Sequence, residues 1–332
     1  MDPRECLKGV AVVSLAAVLC GLGAVWATAS EGPSASRSTF TYKRVGDLEI
    51  RADVHRPGIP GPLPMVVNIH GGGLMKMDRS SMPVPVEILL RSGFIVVSID
   101  YRLAPETKLP EIIQDVVDGC SWARREGPRQ FGAEPGRLAV FGASAGGFLT
   151  LVAGFRVEPR PDVLLSEFGF CEIVGPWTTN PSPDPEHWET RLSAAEAARM
   201  PVGKPVSNAT ERTFDILPYY NYFRQTAQWP RMLTGWDPVR EREKYLPLLP
   251  LYNVTAAYPP TMLIHGTKDP DVPVDQSRRM AEELRKHGVR HETLFLEGAE
   301  HGLRSVKPEL ARAAHEAGAQ FVIRHMKKGI GP

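Results

Sequence analysis

Leu138-Ala-Val-Phe-Gly-Ala-Ser-Ala-Gly-Gly-Phe-Leu-Thr150 decides the fold. Leu138–Phe141 is a short apolar run and reads as a buried strand. The chain then turns small through Gly142, Ala143, Ser144, Ala145, Gly146 and Gly147, and an apolar helical pattern follows. A strand that turns at once into a helix leaves no space for side chains beside the apex. Only Gly and Ala fit there. Ser144 is the apex residue of the Gly142-x-Ser144-x-Gly146 spacing, and the turn lifts it above the sheet edge with the amino end of a helix behind it.

Outward from this elbow, strand and helix signals alternate. Met65–Ile69 is a continuous apolar run, suited to a strand covered on both faces, and ends in His70-Gly71-Gly72-Gly73. Pro83–Arg91 forms a helix closed by Gly93. Phe94–Ile99 is a second buried strand. Glu111–Arg125 carries Ile112, Ile113, Val116, Val117 and Cys120 at helical spacing. Phe168–Gly175 reads as a further strand. Thr261–His265, Asp275–His287, His291–Leu296 and Pro308–Met326 continue the rhythm as strand, helix, strand and helix. Near the start, Phe40–Arg44 and Leu48–His55 form a hairpin around Gly46-Asp47, and the small polar stretch Ser30–Ser38 reads as a linker. This order predicts an α/β chain with a doubly wound, mainly parallel sheet. Pro176–Tyr258 interrupts it. That quarter of the chain holds 12 of the 26 aromatic residues and many prolines, so it reads as a helical insertion or cap at about 176–258. Its aromatics predict a partly apolar pocket.

The chemistry follows from what a serine needs. Its hydroxyl is a poor nucleophile near neutral pH, so it requires a base within hydrogen-bond reach and a carboxylate to hold that base. In an open parallel sheet such groups collect beyond the carboxyl ends of the strands. After Thr261–His265 comes Gly-Thr-Lys-Asp269-Pro, and after His291–Leu296 comes Glu-Gly-Ala-Glu-His301-Gly. Ser144, Asp269 and His301 are therefore the candidate catalytic residues. Asp271 and Asp275 compete with Asp269, and His291, His315 and His325 compete with His301. The three neighbouring acids resemble a calcium loop, but the central Gly and closing Glu of such loops are absent. The triple glycine after Met65–Ile69 lets bare N–H groups approach a substrate oxygen, so Gly72 and Gly73, with Ala145 after the nucleophile, form the expected oxyanion hole. No close metal-ligand spacing of the usual kinds appears, and no metal is expected.

Composition narrows the rest. The 332 residues carry 39 basic and 38 acidic side chains with no basic block, which argues against a nucleic-acid partner. Arg4 and Lys8 precede an uncharged apolar run from Gly9 to Ala29 ending in Ala27-Thr28-Ala29. This predicts a signal peptide over 1–29 and a secreted or periplasmic catalytic domain over 30–332, with no stable membrane insertion once the leader is removed. An uncleaved membrane anchor is the alternative, since about 20 apolar residues can span a bilayer. Cys120 and Cys171 remain in the mature chain and read as two buried thiols. The oligomeric state is open.

His70–Gly73, Asp100-Tyr-Arg-Leu-Ala-Pro-Glu106 and Gly142-Ala-Ser-Ala-Gly-Gly147, in this order, resemble the esterase and lipase branch of the α/β-hydrolase fold related to hormone-sensitive lipase. His265–Gln276 is instead similar to prolyl-oligopeptidase-like and dienelactone-hydrolase-like members. The resemblance covers Pro64–Gly175 and Pro259–Met326 and leaves the insertion outside. It implies a Ser144/Asp269/His301 triad, a Gly72/Gly73/Ala145 oxyanion hole, supporting roles for His70 and Glu106, no cofactor, and a small-molecule ester as substrate. A peptidase acting on short peptides and a non-catalytic ligand-binding protein are the rival readings.

Overall fold

The computed structural model describes residues 35–326, so the leader expected over 1–29 lies outside the described residues. Eight strands form one sheet: β1 (Ser36–Val45), β2 (Leu48–Arg56), β3 (Met65–Ile69), β4 (Ile95–Ile99), β5 (Ala139–Ala143), β6 (Val163–Glu167), β7 (Thr261–Gly266) and β8 (His291–Leu296). Their spatial order is β1-β2-β4-β3-β5-β6-β7-β8. The β1–β2 hairpin and the β2–β4 pair are antiparallel, and every other neighbouring pair is parallel. The expected doubly wound, mainly parallel sheet is present.

Alternation along each strand builds two cores. Val66, Val96, Phe141, Leu165 and Ile264 face one side, where they meet α1 (Val84–Arg91) and the long closing helix Pro308–Met326. Val67, Val97, Val140, Leu164 and Leu263 face the other, under α2 (Leu109–Gln130) and α3 (Ala145–Arg156). Strands covered on both faces need near-continuous apolar runs, and β3 and β4 have them. In register, Ile69 pairs with Gly142, Gly142 with Ser166, and Glu167 with Ile264. The carboxyl ends of the central strands therefore stop in one row, and the loops that follow them share one rim.

Three expectations are corrected. The linker Ser30–Ser38 ends early: β1 already begins at Ser36, because Arg37 and Thr39 each place a side-chain donor 2.6 Å from the buried Asp53 carboxylate on β2. The α2 helix runs beyond Arg125 and through Pro128 to Gln130, closed by the Phe131 and Ala133 N–H groups on the Gly127 carbonyl. Phe168–Gly175 is loop, and the strand is Val163–Glu167 instead. Its end was hidden because Ser166 and Glu167 are polar yet buried. Ser166 Oγ donates to the Gly147 carbonyl at 3.1 Å, and Glu167 Oε1 lies 2.9 Å from His315 Nδ1. Both partners are supplied by distant helices.

Between β6 and β7 the insertion consists of isolated helical turns and two short helices, α4 (Leu217–Gln225) and α5 (Trp229–Thr234). Trp229 packs edge to face with Phe170, Trp177 and Tyr220 at ring separations of 5.6–6.5 Å, and Trp177 lies tilted against Phe170 at 5.4 Å. The Arg224 guanidinium lies over three of these rings, 5.2–5.9 Å from their centres. Two further helices complete the chain, α6 (Asp275–Lys286) and α7 (Pro308–Met326). Cys120 and Cys171 are free and buried. Among the described residues no helix is long and apolar enough to cross a membrane.

Candidate active site

Ser144 sits between β5 and α3 with φ 56° and ψ −122°, a left-handed backbone that a non-glycine residue adopts only under strain. The surrounding packing holds it there. A Cβ on Gly142 would stand 2.2 Å from the Gly146 carbonyl oxygen, and one on Gly146 would stand 2.0 Å from that of Ile69. No side chain fits at either position, which is the physical content of the Gly-x-Ser-x-Gly spacing. The Ser144 N–H donates to the Glu167 carbonyl at 2.9 Å and pins the turn to β6.

The loops after β7 and β8 bring Asp269 and His301 to this point. His301 Nε2 lies 3.0 Å from Ser144 Oγ, and His301 Nδ1 lies 2.8 Å from Asp269 Oδ2. The carboxylate can only accept, so Nδ1 carries the proton and Nε2 is left to accept from the serine hydroxyl. Asp269 Oδ1 accepts the N–H groups of Asp271 and Val272, at 3.0 and 2.8 Å. Burial pushes the Asp269 carboxyl up, but the hydrogen bonds from His265 and His301 outweigh it and hold it at about 2. Burial likewise lowers His301, and the Asp269 hydrogen bond with the charges of Asp271 and Asp269 more than reverses this, so the imidazole is raised. Phe168 packs edge-on against the His301 ring, with centres 5.1 Å apart.

Of the competing acids, Asp271 and Asp275 are not joined to His301 Nδ1. Asp275 pairs with Arg278 at the exposed start of α6. Asp271 lies on the other side of the imidazole, its Oδ2 3.7 Å from Nε2. His315 and His325 sit on α7, and His291 begins β8, its Nδ1 2.9 Å from the Val289 carbonyl.

The glycine turn after β3 borders the same space. The Gly72 carbonyl accepts the N–H groups of Met75 and Lys76 at 3.0 and 2.9 Å. In a trans peptide the next N–H points the opposite way, so the Gly73 N–H faces out of the turn. The Ala145 N–H opens α3 and is one of the helix's four unpaired donors. His70 is buried beneath the turn, stacked on Tyr101 at 4.2 Å, and burial lowers it to about 4. The Tyr101 hydroxyl donates toward the His70 and Gly71 carbonyls at 3.0 and 3.1 Å. Glu106 takes a bidentate pair from Arg212 at 2.6 and 2.9 Å. Arg212 also donates to the carbonyls of Ala104, at 2.7 Å, and Met75. These two residues thus fasten the backbone behind the turn and make no contact with Ser144, Asp269 or His301.

A cavity of about 700 Å³ opens over Ser144, bordered by Gly72, Gly73 and His301. The insertion's contribution to it is mainly polar. Asp184, Glu186, His187, Glu189 and Asn221 line the wall beside Leu217 and Tyr220, while Trp177 and Trp229 pack in the core. The expected partly apolar pocket is present, with Ile69, Met77, Phe168, Leu217 and Tyr220 on its lining, although Trp177 and Trp229 pack against each other and Arg224 instead.

Several site residues had no sequence signal. His265 Nε2 stands 3.2 Å from Asp269 Oδ2 and 2.9 Å from the Val272 carbonyl, while its Nδ1 faces Ser277 Oγ at 2.7 Å. It braces Asp269 from below. Arg224 of α4 pairs with Asp271 at 2.8 Å and donates to the Asp271 carbonyl at 2.9 Å, tying the insertion to the loop after β7. Asp184, His187 and Asp271 bring ligand-type atoms within 4.8 Å of one another. The arrangement does not fit a metal ion. The Arg224 guanidinium already occupies the cation's place on Asp271, the Asp184 carboxylate accepts the Glu186 N–H, and His187 Nδ1 is engaged by Ser182 Oγ at 2.7 Å.

A family model described as alpha/beta hydrolase fold matches residues 66–305, and the chain belongs to that family. Similar curated proteins are fungal. Non-reducing polyketide synthase adrD of Penicillium rubens is 29% identical over 346 residues, covering 88% of this chain and 14% of its own. Non-reducing polyketide synthase Preu6 of Preussia isomera is 30% identical over 298 residues, covering 79% of this chain and 13% of its own. The chain thus spans only a small part of the length of the curated relatives it matches. Among solved structures, an alpha/beta hydrolase superfamily protein from Enterococcus faecalis superposes with a TM-score of 0.66 at 20% identity, covering 87% of this chain and 99% of that one. A thermophilic esterase from Thermogutta terrifontis superposes with a TM-score of 0.63 at 17% identity, covering 89% and 95%. These likenesses are in the fold.

Proposed function

We propose that this protein is a serine hydrolase that cleaves carboxylic esters through Ser144, His301 and Asp269. The observation that carries the reading is one imidazole spanning Ser144 Oγ at 3.0 Å and Asp269 Oδ2 at 2.8 Å. Ser144 Oγ attacks the ester carbonyl while His301 Nε2 takes its proton. The carbonyl oxygen becomes an oxyanion and is met by the N–H groups of Gly72, Gly73 and Ala145. When the C–O bond breaks, His301 returns the proton to the departing alcohol. Water then attacks the acyl-serine, again with His301 as base, and releases the acid. Asp269 holds the tautomer and stabilises the imidazolium. His70, Tyr101 and the Glu106–Arg212 pair keep the glycine turn in place. The protein is secreted after removal of residues 1–29.

Hydrolysis of 4-nitrophenyl butyrate by the wild type and by Ser144→Ala tests the activity, beside a proline 4-nitroanilide. Ester turnover that vanishes in the variant supports the reading. Turnover of the anilide alone makes the protein a peptidase, and turnover of neither by folded protein makes it a binding protein. An amino terminus at Ser30 in protein recovered from the medium supports secretion, and an intact chain held in membranes overturns it.

A further inference from the structure

We infer that the cavity over Ser144 is built for esters that carry a carboxylate of their own, bound by the Lys76 ammonium. The inference rests on the ester-hydrolase reading above and names the substrate class of that same site.

Of the cationic side chains around the cavity, Lys76 alone has no carboxylate within ion-pair distance among the described residues. Asp271 is paired with Arg224 and Glu186 with Arg304, both at 2.8 Å. Asp184 accepts the Glu186 N–H at 3.0 Å, and Glu189 stands at the exposed rim in water. Lys76 lines the same wall, partly buried, and among the described residues no carboxylate lies within ion-pair distance of it and no acceptor holds its Nζ. Among the described residues its ammonium is met only by the face of Tyr220, with the ring centre 4.7 Å away. A ring face holds an ammonium in place but does not replace a counter-ion. Burial lowers the Lys76 ammonium and the more distant charges of Asp271, Asp215 and Glu186 do not make up the difference, so the cation is under-compensated where it stands. A single negative charge arriving with the substrate supplies what the protein leaves out.

The position is right for recognition at the reacting end of the cavity. The Lys76 N–H closes the glycine turn on the Gly72 carbonyl, and the Tyr220 ring beneath its ammonium fills the space beside Gly73. The ammonium is therefore next to the turn proposed to receive the oxyanion. The polar wall given by the insertion has the same meaning, since a long alkyl chain would have to desolvate Asp184, Glu186 and Asn221.

The test compares two substrates that differ only in charge, mono-(4-nitrophenyl) glutarate and the uncharged 4-nitrophenyl glutaramate. In the wild type kcat/KM is expected to favour the charged ester by about tenfold, the scale of one hydrogen bond to a charged group. Lys76→Met is expected to abolish that ratio, chiefly through KM of the charged ester, and Lys76→Arg to keep most of it. A wild-type ratio near one, or a ratio that Lys76→Met leaves unchanged, overturns the inference. If neither ester is turned over, the ester reading falls, and glutarate binding followed by tryptophan fluorescence decides this inference on its own. Binding that Lys76→Met weakens about tenfold upholds it, and binding indifferent to Lys76 or absent overturns it.

Discussion

The rim of the sheet and the insertion above it face each other across one cavity, and they are built on opposite principles. On the rim each proposed group lies in the turn or loop directly after a strand: Gly72 after β3, Ser144 after β5, Asp269 after β7, His301 after β8. The sheet register alone brings them together. The insertion is tied to the rest of the molecule by contacts far apart in the chain. Arg224 is fixed by Asp271, 47 residues away, Trp229 reaches the Gly73 carbonyl at 3.3 Å across 156 residues, and Arg212 clamps Glu106 from 106 residues away. The difference teaches where chemistry and selectivity are stored. On the proposed reading, the reacting groups depend on a rigid scaffold that short motifs can specify, and the wall facing the substrate depends on long-range ion pairs that can be exchanged without disturbing the sheet.

Substitutions on the two sides separate these principles. On the rim, Ser144→Ala is expected to lower kcat for 4-nitrophenyl butyrate by about 10⁴-fold or more with the fold intact, read from steady-state rates and circular dichroism. A residual rate within tenfold of wild type would remove the serine from the mechanism. Asp269→Asn keeps the volume but loses the carboxylate that selects the His301 tautomer, and about 10³-fold is expected in kcat. The effect should be in kcat with KM little changed, and a pure KM effect would contradict the tautomer argument.

The insertion side predicts changes in stability and tuning. Arg212→Met leaves Glu106 buried without its partner, with both side chains only 2% exposed in the native protein. A loss of about 3 kcal/mol is expected in denaturant unfolding, and a loss below 1 kcal/mol would show that the clamp is not needed. Asp271→Asn is the smallest and the most informative. The Asp271 charge lies 3.7 Å from His301 Nε2 and raises the imidazole, after burial and the Asp269 hydrogen bond have acted. His301 must be neutral to act as base, so activity rises with pH through its titration. Removing the nearby negative charge lowers that titration, and the acid limb of kcat/KM moves to lower pH. The plateau rate falls by roughly tenfold because the imidazolium is less stabilised in the transition state. An unmoved acid limb would make Asp271 a packing residue only.

Most of the sheet was legible because a strand covered on both faces must be mainly apolar, and β3, β4, β5 and β7 are, with single buried polar residues such as Asn68 and Ser98 bonded to each other. The β6 strand was not, because Ser166 and Glu167 are made tolerable by Gly147 and His315, which no local pattern announces. The same reason hid His265, which reads as the last residue of an apolar strand and is a hydrogen-bonded brace only once Ser277 and Asp269 fold against it.

The sequence by itself determined the elbow, the chain order of Ser144, Asp269 and His301 and the glycine turn, because steric exclusion at Gly142 and Gly146 and apolar periodicity act over a few residues. Only the tertiary structure decided which acid meets the Nδ1 of His301, that Trp177, Tyr220 and Trp229 pack around Arg224 beside a wall of Asp184, Glu186 and Asn221, and that Lys76 lines the cavity over Ser144 with no carboxylate within ion-pair distance among the described residues. Those outcomes depend on burial and on charges tens of residues or more apart in the chain, and neither is written in the local pattern of side chains.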